Sequence, residues 1–596
     1  MTYINKKRRV ENLPEENIYD KIIDLAKRRG FFWPSYEIYG GQAGFYDIGP
    51  YGIVLKRKLI DMWRELFVKN NQDSVVEVET PIIGPSIVYK ASGHIDNFTD
   101  PIVKCNSCGR IFRADHLVEE RLNINAEGLS ASELSSIIKE KGLRCPVCNG
   151  ELGEVKVFNL LFKTQIGPYE GNVGYVRPEL AQGIFVAFKR IHESLRNKLP
   201  LGIAQVGKVG RNEISPRQGM IRLRDFTIME MEYFFNPDKK DCPGIEKYYN
   251  ETLNMLPYEY KKDNRSFVTV TVKEAIERNF VINPCMAYWM VTGKLLLLKI
   301  GVPENNMYFE EKGPKERAHY SSQTFDHMVK TSRWGWIEVA GYAYRGNYDL
   351  SRHKEFSNAD LEVFEPYKEP ITMKVKKVLL DKAYAGKTFK SKAYEFMKKV
   401  EESDVNYVLK EIEEKGKLTI DNIDIPKEAL IIVEKEEKVA GRKFIPHVIE
   451  PSFGTDRLLY VLLEYAYREV DGRVVLSFPR YLSPADAAVL PLIEGDEKLI
   501  NKSREFYSYL ISEGFNVLYD DNGSIGKRYA RADEIGVPAV FTIDYETLED
   551  DTITMRDRDT WKQVRINIKD AANSLRKFIY NSAELRELGK EVEIKG

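Results

Sequence analysis

The sequence predicts an α/β (α+β) chain of several domains, and three observations carry that prediction. An arginine-bearing loop joins two strands. Arg211-Asn-Glu213 leads into the loop, Arg222 leaves it, and Met229, Met231 and Tyr233 then alternate with Glu230 and Glu232 as a strand does. After Asp471-Gly, strands at Val489-Leu-Pro-Leu, Asn516–Tyr519 and Ala539–Asp544 alternate with helices near 496–513 and 523–531. That pattern reads as a compact α/β domain with a mainly parallel sheet. Between 100 and 155, Cys105-x-x-Cys108 and Cys145-Pro-Val-Cys148 frame a charged, helix-like excursion. A length of 596 residues suits about three to four domains.

Composition narrows the class. With 89 Lys and Arg against 90 Asp and Glu, the formal charge is -1, so a nucleic-acid partner has to be met by local basic patches. The opening segment MTYINKKRRVENLPEEN is basic but has no apolar core, so it does not read as a secretory signal. No run reaches the roughly 18–20 apolar residues that span a bilayer. A soluble, cytoplasmic protein with no membrane contact is expected. Six cysteines in so long a chain do not make a disulfide scaffold.

The elements follow in order. Residues 16 to 70 are largely helical, interrupted by the Gly-rich stretch from Phe31 to Pro50, which reads as strand, tight turn, strand. Val54, Leu55, Leu59, Ile60, Met62, Trp63, Leu66 and Phe67 recur at helical spacing, and a strand from Ser74 ends at Pro81. Four cysteines in two CxxC pairs suit tetrahedral zinc, with Gly109 and Asn149-Gly150 supplying the turns after each pair. His116 reads as a local polar contact, and Cys242 and Cys285 as isolated, buried small hydrophobes. Residues 236–330 hold an apolar helix around Ala287 and a loop from Lys315 to Tyr320. Residues 366–441 are Lys/Glu-rich and mixed helical, mostly a solvated face, with RNA-backbone contact as the alternative.

Chemistry concentrates in a few places. Arg211, Arg222 and the distant Arg457 suit phosphate oxygens, because guanidinium is always charged and grips with a planar fork. Phe226 offers an aromatic face for adenine, and Glu213 an acceptor for its amino group. No Ser/His/Asp or Cys/His arrangement supplies a nucleophile.

With those residues placed, the chain resembles the class II aminoacyl-tRNA synthetases, and within them the dimeric archaeal and eukaryotic glycyl-tRNA synthetases. The resemblance covers nearly the whole chain. It rests on FWPSYEIYGG from Phe32, IFRADH from Ile111, VRPELAQG from Val176, RNEISPR from Arg211 to Arg217, WIEVAG from Trp336, and Glu450-Pro451-Ser452. It implies a class II antiparallel sheet core flanked by helices, a zinc-binding insertion, and a C-terminal α/β anticodon-binding domain. The segments are then core at 1–99 with motif 1, zinc insertion at 100–155, core with motif 2 at 156–235, an insertion at 236–330, core at 331–365, a charged insertion at 366–441, core with motif 3 at 442–475, and anticodon binding at 476–596. Motif 1 implies a homodimer. The family usually has Thr at Leu180 and an aromatic at Gly210.

The implied activity is that of a glycine–tRNA ligase, which makes glycyl-adenylate from glycine and ATP and passes glycine to tRNA(Gly). The implied ATP site is Arg211, Asn212, Glu213, Arg222, Leu223, Phe226, Glu338, Val339 and Arg457, with Mg²⁺ bridging phosphates near Glu338. Arg211 meets the α-phosphate, Arg457 the γ-phosphate, and these two are the implied catalytic residues. The implied glycine site is Glu179, Glu230, Arg345, Glu450, Pro451 and Ser452, with Arg345 facing the glycine carboxylate or the adenylate. Acidic groups bind the ammonium, and their bulk excludes a methyl group. Lys527, Arg528 and Arg531, with Tyr529, are the candidate tRNA contacts. Two rivals remain: a non-catalytic nucleic-acid-binding relative on the same fold, and a class II enzyme for another amino acid. The phosphate arginines argue against the first, the glutamates and Glu-Pro-Ser against the second.

Overall fold

The computed structural model describes residues 16–592 except 127, 170, 215, 217 and 240, and, within them, all side chains but those of 16, 17, 373, 375, 406, 435 and 437. The reading of residues 1–15, and of Ser215 and Arg217 in the motif 2 loop, falls outside the described residues. The chain forms two compact units, one running to Leu361 and resuming at Pro446, the other Glu362–Ile445.

The first unit is organised by a nine-stranded sheet. Its strands are β1 (Val75–Glu77), β2 (Leu201–Gly210), β3 (Asp225–Phe235), β4 (Thr252–Leu256), β5 (Val268–Thr271), β6 (Met307–Glu311), β7 (Gln323–Thr331), β8 (Gly335–Gly346) and β9 (His447–Gly454). The spatial order is β5-β4-β6-β7-β8-β9-β3-β2-β1. All neighbours are antiparallel except β1 with β2 and β4 with β6. The segment 236–330, read as an insertion, therefore extends the sheet itself through β4, β5, β6 and β7.

Helices cover one face. Helix α1 (Glu16–Arg29) and the Gly-rich hairpin lead into α2 (Pro50–Phe67), which begins with Pro at its first turn, where a missing N–H costs nothing. Its buried stripe of Leu55, Leu59, Met62, Trp63, Leu66 and Phe67 meets the sheet and α4 (Pro284–Lys299). α3 (Ala181–Ser194) precedes β2. Phe67 is stacked between Trp63 and Trp289, at 5.3 and 5.6 Å, and edge-on to Phe453 at 5.2 Å. This aromatic column joins α2, α4 and β9 in one core. α4 is apolar all round, as a helix buried on every side must be. Its first turn carries Cys285, which is disulfide-bonded to Cys242. The two cysteines expected to be isolated are thus a pair, their Cα atoms 5.0 Å apart despite 43 residues of separation.

Pairing alternates side chains between the two faces of the sheet. Met229, Met231 and Tyr233 of β3 point into the helix-covered core, so Phe226, Ile228, Glu230 and Glu232 share the opposite face. β3 pairs with β9 so that Glu230 stands opposite Ser452, and β9 pairs with β8 so that Glu450 stands opposite Ala343. Motifs 2 and 3 therefore meet on one face, flanked by α5 (Tyr348–Ser357) and by α6 (Thr455–Ala466), which continues directly from β9.

The cysteine-bearing segment is a small domain of its own. Strands Thr99–Cys105, Ile111–Arg113 and Leu152–Asn159 form a sheet over helices Ala114–Leu122 and Ala131–Glu140. Val103, Val118, Leu134 and Ile138 are among its core residues.

The C-terminal sheet runs in the order Val517–Tyr519, Ala487–Pro491, Ala539–Ile543, Thr552–Asp557, Gln563–Asn567, Lys590–Val592. Only the first three strands are parallel, and the other pairings are antiparallel. The expected mainly parallel sheet is thus corrected to a mixed one. After Ile543 a short helix (Tyr545–Asp550), a tight turn and helix Ala571–Tyr580 join antiparallel neighbours, where no parallel crossover is needed.

The second unit is a long antiparallel ribbon, Val363–Leu380 with Leu430–Phe444, carrying three helices and a short hairpin. Val378, Phe396, Val400, Val408, Leu418 and Ile425 form its own core. The charged run is the outer face of a packed module.

Candidate active site

A cavity of about 510 Å³ opens on the exposed face of β3, β8 and β9. One end is basic and aromatic. Arg211 donates from Nε to the Pro178 carbonyl at 3.1 Å, and its guanidinium lies 5.5 Å from the Phe226 ring centre and 5.7 Å from that of Phe98. Arg222 pairs with Glu213 at 2.9 Å. Arg224, which sequence reasoning missed, bonds the Glu213 carbonyl through Nε and Nη2 and the Ala43 carbonyl through Nη1. It pins the motif 2 loop to the Gly-rich hairpin. Arg457 donates to the Ile221 carbonyl at 3.1 Å and sits 3.5 Å from the Glu338 carboxylate. Leu223 and Val339 also line the cavity, whereas Asn212 does not; its backbone N–H bonds Leu160.

The other end is acidic. Glu179, Glu230, Glu450 and Ser452 line it. Ser452 Oγ donates to Glu230 at 2.9 Å, and the Leu180 backbone N–H donates to the other Glu230 oxygen at 3.0 Å. The Leu180 side chain packs on Val209 and Ile228, so this departure from the family pattern leaves the hydrogen bonding to backbone. At Gly210 a Cβ would stand 3.0 Å from Val176 and 3.1 Å from Phe162, which fill the space an aromatic side chain would need. Gly207 is required by Arg177: a Cβ there would stand 2.3 Å from its guanidinium. Arg177 in turn bonds the Thr80 and Lys208 carbonyls and fixes the chain entering Glu179.

Arg345, expected to face the glycine carboxylate, is enclosed instead. It is fully buried and bonds Glu450 at 2.7 Å, Asp349 at 2.8 and 3.0 Å, and Glu179 at 3.3 Å. Its flat faces lie 3.7 Å from the Tyr320 ring centre and 5.2 Å from that of Phe185. It organises the carboxylates from below the pocket. Pro451 is also corrected: opposite Tyr342 on β9, it is buried on the other face of the sheet. Gln182, missed earlier although it lies in the quoted motif three residues after Glu179, bonds Glu179 and Asp349 at 2.9 Å each. His353 meets its other end at 2.9 Å.

The electrostatics split these acids. Burial raises Glu179, but Arg345 and His94 outweigh it and hold the group ionised well below the usual range. Burial pushes Glu230 up to about 8, with Glu450 and Glu179 adding repulsion. Glu450 is raised by burial, against the opposing pull of Arg345. Asp326, a cavity residue paired with Lys312 at 2.9 Å, is pushed up to about 7 by burial and by Glu338.

Residues 168–466 match the family described as "tRNA synthetase class II core domain (G, H, P, S and T)", and residues 486–578 match "Anticodon binding domain". The chain is 59% identical to the glycine--tRNA ligase of Aeropyrum pernix, over 97% of this chain and 100% of that one. Identity is 48% with the Pyrococcus horikoshii enzyme and 44% with that of Methanocaldococcus jannaschii, each over 94% of this chain and 99% of the relative.

The chain belongs to the glycine–tRNA ligase family.

As a member of that family it is an ATP-dependent class II ligase. Among the candidate RNA contacts of this ligase, Lys527 is exposed and Arg531 pairs with Asp520 at 2.7 Å. Arg528 is corrected. It is buried and bonds the Pro491 and Leu492 carbonyls, so it closes the strand end instead of meeting RNA. Tyr529 bonds Thr542 at 2.7 Å.

In the small domain all four thiols converge. Their sulfurs lie within 4.8 Å of one another, with Cys105 to Cys148 at 3.5 Å and Cys108 to Cys145 at 3.7 Å. Four sulfurs each about 2.3 Å from one tetrahedral zinc stand about 3.8 Å apart, so the set fits that ion. Gly109 and Asn149 take positive φ of 72° and 57° in the turns after each pair. His116 is not part of the cluster. Among the described residues, no helix is long and apolar enough to cross a membrane.

Proposed function

We propose that the cavity activates glycine with ATP and that the aminoacyl group then passes to the 3′ end of tRNA(Gly). The observation that carries this is the polarity of one cavity: Arg211, Arg222 and Arg457 at one end, Glu179, Glu230 and Glu450 at the other. Glycine carboxylate attacks the α-phosphorus and pyrophosphate leaves; the terminal ribose hydroxyl later attacks the activated carbonyl and AMP leaves. Both nucleophiles belong to substrates, so the protein contributes positioning and charge stabilisation. Arg211 is assigned to the α-phosphate, beside adenine on Phe226, and Arg222 and Arg457 to the distal phosphates. Glu338 would stand beside a Mg²⁺ bound with the triphosphate, which would supply further charge neutralisation. The carboxylates receive the ammonium, and a methyl group in place of a glycine hydrogen clashes with the crowded acids. An editing site is not needed for the smallest amino acid.

The same reading assigns a structural zinc to Cys105, Cys108, Cys145 and Cys148, anticodon binding to the C-terminal domain with Lys527 and Arg531 as contacts, and action in the cytoplasm as a homodimer. Exposed Ile82, Ile83 and Ile87, just after β1, support an apolar contact beside motif 1.

The test is amino-acid-dependent ATP–pyrophosphate exchange with all twenty amino acids, without tRNA. Glycine alone is expected to support it. Exchange with another amino acid rejects the assignment of the glutamates, and no exchange favours a non-catalytic nucleic-acid-binding role.

A further inference from the structure

Beside the acidic end of the cavity, outside its lining, lies a carboxyl group that the reaction above does not use. Glu232 lies on the same face of β3 as Glu230 and is fully buried. Neither of its oxygens has a hydrogen-bond partner. The pairs Glu230 with Ser452 and Tyr233 with Ile449 fix the register, which puts Glu450 directly across from it. Carboxylate oxygens of Glu230, Glu232 and Glu450 lie within 4.8 Å of one another.

The surroundings leave nothing for an ionised Glu232. From β8, Arg345 directs four hydrogen bonds to Glu450, Asp349 and Glu179 and none to Glu232. From α3, Gln182 bonds Glu179 and Asp349. From β9, Ser452 and, before α3, the Leu180 amide both serve Glu230. His94 lies 3.5 Å from Glu179, and His353 of α5 bonds Gln182. Tyr320 covers the face of Arg345. Five carboxyl groups thus share one guanidinium. A buried carboxylate with no donor and no cation of its own is costly, and taking up a proton removes that cost.

We propose that Glu232 is a further positioning residue of the glycine site, working as a neutral acid that donates its proton's hydrogen bond to the Glu450 carboxylate. With Arg345 holding Glu450 on one side and Glu232 on the other, the Glu450 carboxylate is fixed where the ligand's ammonium arrives. Burial first, and then the Glu450 charge, push Glu232 toward its protonated form. The inference rests on the glycine reading of the cavity and deepens it.

The experiment compares full-length wild type, Glu232→Leu and Glu232→Gln in glycine-dependent ATP–pyrophosphate exchange, with glycine KM, ATP KM and kcat measured separately. Losing a hydrogen bond to a charged group corresponds to about tenfold or more in affinity. Glu232→Leu is therefore expected to raise glycine KM at least about tenfold and leave ATP KM unchanged. Glu232→Gln, which keeps a neutral donor, is expected to return glycine KM to within about threefold of wild type. Two results overturn the proposal. If Glu232→Gln raises glycine KM as much as the leucine variant, the site uses a negative charge there. If Glu232→Leu behaves as wild type, Glu232 only fills space. Should the leucine variant fail to fold, the glutamine variant decides alone. Wild-type protein without glycine-dependent exchange sinks the glycine reading itself, whereas exchange with the wrong order of variants sinks only the role of Glu232.

Discussion

Lys56 of α2 and Asp456 of α6 form a buried ion pair at 2.6 Å, and both also bond Thr227 of β3. One contact therefore ties the motif 1 helix, the motif 2 strand and the motif 3 helix together, next to Arg457. Removing one partner of a buried pair leaves the other charge uncompensated, so Lys56→Met is expected to cost about 3–5 kcal/mol in urea unfolding. A loss below about 1 kcal/mol, the value of an exposed pair, contradicts this role.

Arg211 is the guanidinium nearest Phe226 and is held in place by the Pro178 carbonyl. Deleting a preorganised donor to developing charge typically costs about 10²–10³-fold in rate. Arg211→Ala is expected to lose at least that in glycine-dependent exchange while keeping the wild-type melting temperature. Near-normal exchange removes Arg211 from the α-phosphate.

Arg345 gives a contrasting expectation. Its loss strands Glu179, Asp349 and Glu450 without a cation, so Arg345→Met is expected to destabilise the fold by about 3–5 kcal/mol as well as to abolish exchange. If it contacted the substrate carboxylate directly, glycine KM would rise with stability intact.

Glu230 ties glycine binding to pH. In the empty pocket its carboxyl is protonated below about 8, and the incoming ammonium prefers the carboxylate. Binding must then release a proton, which becomes easier as pH rises. Glycine KM is expected to fall by up to about tenfold per unit as pH rises toward 8, and to level off above it. A flat profile, or one that rises, refutes the coupling.

The four thiols predict one zinc per chain by elemental analysis, lost in Cys145→Ser. Chelation is expected to raise hydrogen exchange across residues 99–159, because a metal cluster at the edge of so small a core carries part of its folding energy. A chelated protein with unchanged exchange there makes the cluster dispensable.

What the sequence made legible was local. The CxxC pairs, the arginines of the loop between β2 and β3, and the alternation of β3 are each patterns of short sequence range. What it hid was long-range. The carboxylates enclosing Arg345 come from positions 179, 349 and 450, and no local pattern shows that they converge on it. Cys242 and Cys285 meet although 43 residues separate them, because the first turn of α4 comes back to the segment that follows β3. Arg528 is different, because a signal existed. Arg528, Ala532 and Ile535 recur at helical spacing on the buried face of the helix Ile525–Ile535, and basic character drew attention from that periodicity.

The strand order also sets a timetable for synthesis. β9 lies between β8 and β3, yet it is the last of the nine to leave the ribosome, after a module of more than eighty residues. Until His447–Gly454 emerges, β3 and β8 each present an open hydrogen-bonding edge toward the same gap, and open edges invite foreign strands. The floor of the glycine pocket is therefore the last part of the sheet to close, and the nascent chain is most exposed to mispairing just before it does.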